Sequence, residues 1–76
     1  MTEEEWLDIF AENLESIMNE RGYTQSRLAR VLRISQSSVS AYLNRRKMPS
    51  AKVLVNMALE FEEDFSDFVN FGDFID

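Results

Sequence analysis

Neither glycine nor proline occurs between Gly22 and Pro49, yet two helix starts fall inside that stretch. Thr24 and Ser35 each precede a short helical set of apolar residues, and each has a hydroxyl able to accept an orphan amide of a first helical turn. Leu28, Ala29 and Leu32 form the apolar face behind Thr24, while Val39, Tyr42 and Leu43 form the one behind Ser35. The spacing predicts two brief helices, residues 25–32 and 36–44, meeting across a turn that contains no flexible residue. The break before Ser35 therefore comes from the serine acting as a cap. A small residue at Ala29 lets the second helix cross closely over the first. The apolar positions 32, 34, 39 and 42 then hold the pair at a steep angle. Gln36, Ser37, Ser40, Ala41 and Asn44 are left on the outer side, and Ser38 turns toward the packed side.

Such a pair is too small to bury its own apolar faces, so the flanking segments have to complete the core. Residues 3–21 read as a helix capped by Thr2, with Glu5 in capping-box position and acids in the first turn. Leu7, Phe10, Leu14, Ile17 and Met18 recur at three- and four-residue steps on one face, and Gly22 is the stop. Ser50 caps a helix over 51–61, whose stripe is Val53, Leu54, Met57, Ala58 and Phe61. Phe65, Phe68 and Val69 predict a last short helix ending near Gly72, with a frayed end beyond. The reading is all-α: one compact five-helix domain over residues 1–76, with its core at 3–71 and an acidic, aromatic C-terminal segment at 62–76. No internal repeat and no strand candidate is found. A chain of 76 residues has room for one domain.

The formal net charge is −6, but its distribution matters more than its sum. Residues 1–20 carry seven acids and no base, residues 21–47 seven bases and no acid, and residues 53–76 seven acids and no base. A basic centre free of acids points to a polyanionic partner. Mutual attraction of the blocks within the fold is the competing explanation. The absence of cysteine excludes disulfides and thiolate metal sites and fits a reducing cytoplasm. With no histidine, no cysteine and no glycine-rich phosphate loop, neither an enzyme nor a cofactor is expected. The N-terminal MTEEEW has no apolar core of a signal peptide, and no apolar run nears the roughly 20 residues of a membrane span.

Two helices held in this way, with a polar face projected outward, meet the requirement of a helix-turn-helix, over about residues 25–44. The stretch GYTQSRLARVLRISQSSVSAYLNRRKMPS, followed by LVNMALEF, resembles the Cro/C1-type helix-turn-helix family of phage repressors and Xre-like regulators. The likeness covers about residues 10–70. It rests on a TQ opening, a Leu-Ala pair, an SQSSVS recognition segment and a basic loop ending in proline. The resemblance implies a lambda-repressor-like fold and a cytoplasmic, nucleoid-associated regulator, bacterial or phage-encoded, that binds double-stranded DNA as a homodimer. It also implies Gln36, Ser37, Ser40 and Ala41 as base readers, and Gln25, Asn44, Arg45, Arg46, Lys47 and Lys52 as phosphate contacts. Gln25 is further implied as a brace for Gln36. The family often has glycine where Arg33, Arg45 and Glu60 stand here, so these departures fall on the loops.

Several residues keep a second reading. Gln25 can be only a polar helix opener, and Arg27, Arg30 and Arg33 can pair with acids of the first helix. Tyr42 belongs to the core. Five phenylalanines between positions 61 and 74 exceed what a small last helix can bury, which makes Phe65, Phe68, Phe71 and Phe74 candidates for a dimer interface or a protein partner. A protein-interaction module of the same fold, such as an antitoxin working through its acidic and aromatic surfaces, is the alternative function.

Overall fold

The computed structural model describes residues 2–62. Four helices follow one another: α1 (Glu3–Arg21), α2 (Gln25–Leu32), α3 (Gln36–Leu43) and α4 (Ala51–Phe61), with no strand among the described residues. The predicted bounds hold except at the end of α3, where Asn44 is the cap and not the last helical residue. The aromatic segment with Phe65, Phe68, Phe71 and Phe74, and the fifth helix expected there, lie outside the described residues.

Each helix begins on a hydroxyl cap in extended conformation. The oxygens of Thr2, Thr24, Ser35 and Ser50 accept from the amides of Glu5, Arg27, Ser38 and Val53 at 3.1–3.2 Å. Losing one such cap costs about 1 kcal/mol, which is substantial for helices as short as α2 and α3. At Thr2 the capping box takes a variant form, because the threonine hydroxyl also donates to the Glu5 carboxylate at 3.1 Å.

Helix ends are where the sequence breaks with local preference. Gly22 closes α1 at φ +72°, a left-handed conformation that suits glycine. Arg33, Arg45 and Glu62 take the same region at φ +58°, +61° and +55°, although each carries a Cβ. The two loop departures noted at Arg33 and Arg45 therefore sit at true left-handed positions. The third does not: Glu60 is inside α4, and the left-handed residue after that helix is Glu62.

Arg33 offers a clean measure of this strain, because its side chain has no bond among the described residues. Arg33→Gly removes the roughly 1–2 kcal/mol of left-handed strain and adds back about 0.5–1 kcal/mol of unfolded-state entropy. A net stabilisation of about 0.5–1 kcal/mol is expected. A raised urea midpoint at unchanged slope would carry it, and a lowered midpoint would contradict it.

The core gathers one face from every helix: Trp6, Phe10, Ala11, Leu14, Ile17 and Met18 from α1, Leu28, Ala29 and Leu32 from α2, Val39 and Tyr42 from α3, and Leu54, Met57 and Phe61 from α4. α3 packs on both α2 and α1, and α2 also meets α4. Trp6 and Ala11 were missing from the predicted stripe, which began at the half-buried Leu7. The true stripe starts one residue earlier. Trp6 stacks on Phe10 at 5.2 Å, and Phe10 meets Tyr42 of α3 edge-on at 6.2 Å. Burial raises the pKa of Tyr42, as expected for a phenol that would ionise in an apolar surrounding.

Candidate nucleic-acid interface

The turn between α2 and α3 is three residues long, and its backbone is closed by hydrogen bonds. The Arg33 amide donates to Arg30 O at 3.2 Å, and the Ile34 amide to Ala29 O at 3.0 Å. Half-buried Ile34 points into the core, and Ser35 then caps α3. The steep crossing thus comes from a left-handed residue, an apolar anchor and a cap in succession.

With Val39 and Tyr42 buried, the opposite face of α3 turns outward. Gln36 and Ser37 are exposed there, and Ser40 and Ala41 are half-buried beside them. The serines are not equivalent. Ser35 Oγ lies 3.1 Å from Ser37 Oγ and 2.9 Å from Ser38 Oγ, so one hydroxyl cluster fixes the first turn. Ser40 is tied to the helix end, because Asn44 Nδ2 donates to its carbonyl at 2.8 Å and to its hydroxyl oxygen at 3.3 Å. The Ser40 hydroxyl proton stays available to a ligand. Gln36, the first residue of α3, makes no hydrogen bond to another described residue, so its full amide capacity faces solvent.

Gln25 opens α2 in the same way and is half-buried. No hydrogen bond joins it to Gln36 among the described residues. It does share a cleft of about 520 Å³ with Asn44 and Arg45, which also takes in Glu15, Asn19 and Tyr23. The fold therefore brings Gln25, Asn44 and Arg45 together. Lys52 lies elsewhere, lining with Arg33 and Ile34 the cleft between the turn and α4.

The basic loop is held at both ends. The Arg45 amide donates to Tyr42 O and the Arg46 amide to Ala41 O, while buried Pro49 and the Ser50 cap lead into α4. Arg46 and Lys47 on it are exposed, with no ion-pair partner among the described residues. Arg45 differs from them: its Nε donates to Asp8 Oδ1 of α1 at 2.5 Å. The arginines of α2 do not take the α1 acids. Arg27 lies over the Tyr23 ring at 4.7 Å, and Arg30 and Arg33 are exposed without a partner among the described residues. Tyr23 in turn donates its hydroxyl to Glu60 at 2.8 Å, tying the α1–α2 connection to α4. That bond to a carboxylate is the chief reason its pKa is raised, with burial and the Glu60 charge adding to it and Arg27 and Arg21 opposing.

Residues 14–68, well over half of the chain, match the family described as Helix-turn-helix, of Cro/C1 type. The chain belongs to the Cro/C1-type helix-turn-helix family. No curated protein and no solved structure matches it. The helix-turn-helix family is one of DNA-binding transcription regulators, and an all-helical domain carrying the motif at its centre is what the structure contains. Among the described residues no helix is long and apolar enough to cross a membrane. What sequence reading missed at this helix-turn-helix is Asp8, which lies 37 positions from Arg45 and gives no local signal of the contact.

Proposed function

We propose that the protein is a sequence-specific transcription regulator of repressor or Cro type that reads the major groove of a palindromic operator as a homodimer in the cytoplasm. The observation that carries this is Gln36. It stands exposed, with no hydrogen bond to another described residue, at the start of a helix whose other face is locked into the core and whose far end runs into a loop of exposed cations. A glutamine placed so can grip adenine N6 and N7 bidentately. Ser37 and Ser40 add hydroxyls to either base partner, and Ala41 a methyl contact to thymine. Gln25, Asn44, Arg45, Arg46, Lys47 and Lys52 are assigned to phosphates, which set register without reading sequence. A single module of this size has little interface for tight specific binding, which favours pairing. Phe65, Phe68, Phe71 and Phe74 are assigned to the dimer contact.

Selection from random duplex DNA tests the proposal. The expected product is a near-palindrome with half-sites about one helical turn, roughly 34 Å, apart. Enrichment of a single half-site would remove the dimer, and absence of any enriched sequence would remove the function.

One observation favours the second reading. Val55 and Leu59 on the outer face of α4 are 49% and 73% exposed, and Val31 of α2 shares a cleft with Leu59. An apolar strip of this kind suits a protein partner, as an interaction module or antitoxin would require. Selection that enriches nothing, together with partner binding that ignores salt, would favour it.

A further inference from the structure

We infer that Asp8 is an internal competitor for the DNA backbone, holding Arg45 and so lowering the sequence-independent part of the affinity for a duplex. The inference rests on the DNA-binding reading above. The sequence from 21 to 47 contains no acid, so any negative charge at this surface has to be brought there by the fold. α1 brings it. Arg45 follows the Asn44 cap at φ +61°, and its Nε donates to Asp8 Oδ1 at 2.5 Å while one Nη1 hydrogen goes to Leu43 O at 3.2 Å. Two of the five guanidinium N–H donors are thereby used by the protein itself. Glu4 lines the same cleft as Asp8 and Arg45, and Glu15 lines a second cleft that Arg45 also borders.

The pair lies at the surface, with side chains 39% and 61% exposed, so a phosphate can reach it. An exposed ion pair holds weakly, and it does not lock the arginine away from DNA. Its effect is on charge. A duplex gains affinity from each cation that displaces a condensed counterion, by about 0.9 in the slope of log affinity against log salt. A guanidinium already neutralised by a carboxylate displaces little, and the carboxylate repels the incoming phosphate. Arg46 and Lys47, with no such partner among the described residues, keep their full share. Three adjacent cations therefore act as about two.

The test measures affinity for a short random-sequence duplex against salt for the intact protein and for Asp8→Asn, which keeps the side-chain size and removes the charge. Asp8→Asn is expected to steepen the slope by about 0.9 and to bind about eightfold more tightly at 0.1 M salt. Arg45→Gln is expected to abolish that gain when combined with Asp8→Asn, because the charge that Asp8 offsets is then gone. An unchanged slope in Asp8→Asn, or weaker binding, would overturn the inference, because Asp8 would then be idle or would present Arg45 to the phosphate. So would a gain that survives in the Asp8→Asn, Arg45→Gln double variant. If the native chain itself shows no salt-dependent duplex binding, the DNA-binding reading falls together with this inference.

Discussion

Replacing Arg46 and Lys47 together by alanine is expected to weaken duplex binding by about 2–3 kcal/mol at 0.1 M salt, roughly a hundredfold. Each released counterion contributes about 0.9 to the salt slope, and at 0.1 M that is worth about 1.2 kcal/mol per contact. Both side chains are exposed and unpaired among the described residues, so the double variant should keep its fold and its urea midpoint within about 0.5 kcal/mol. The loss should fall equally on selected and random sequences, because phosphate contacts carry no base information. Titrations of both duplexes across a salt series would test this. A loss confined to the selected sequence would move these residues from backbone to base contact. Binding as tight as that of the native chain would leave the loop without a part in DNA recognition. Extending the replacement to Arg45 should add less than a third equal step, because Asp8 already offsets that charge.

The acidic net charge is no obstacle to this chemistry. The acids of the described chain sit mainly on α1, where Glu3, Glu4, Glu5, Glu12, Glu15 and Glu20 are exposed, while the loop cations sit beyond the end of α3. At physiological salt the Debye length is about 8 Å, so a duplex at the loop senses local cations more than the sum over the chain. Segregated charge orients the encounter as well as driving it.

What the sequence made legible is whatever depends on neighbours in the chain. Thr2, Thr24, Ser35 and Ser50 marked all four helix starts, because a cap acts on amides two or three residues ahead. The role of Ser35 was also local: it caps α3 by accepting from the Ser38 amide, and Ser37 beside Gln36 is exposed. Trp6 was legible and overlooked, since it stands four residues before Phe10 on the same helical face. The contact of Arg45 with Asp8 was not legible. Seven acids precede the basic block, and only the packing of α1 on α3 decides which of them reaches the loop. The hydrogen bond from Tyr23 to Glu60 has the same character, joining residues 37 positions apart.

Phe10→Ala is the substitution expected to cost the fold most. Phe10 is 1% exposed, stacked on Trp6 within α1 and edge-on to Tyr42 across the α1–α3 contact. Truncating a buried phenylalanine typically costs about 3–5 kcal/mol, from lost transfer free energy and the cavity left behind. A domain of this length has about 4–11 kcal/mol in total, and small domains lie toward the low end. The variant should therefore sit near its unfolding midpoint, as urea denaturation followed by helicity would register. Leu59→Ala, by contrast, truncates a side chain 73% exposed and should change stability by less than about 0.5 kcal/mol. A cost below about 1 kcal/mol for Phe10→Ala would mean that α1 does not support α3 in this way. The functional consequence separates packing from contact. Phe10 is buried on α1 and does not itself reach the surface, so its loss should lower apparent affinity mainly by the fraction unfolded. Saturating operator DNA should then restore the folded population, because a ligand that binds only the native state stabilises it by mass action. The Arg46 and Lys47 variant would show the reverse: full helicity without DNA, and little stabilisation when DNA is added.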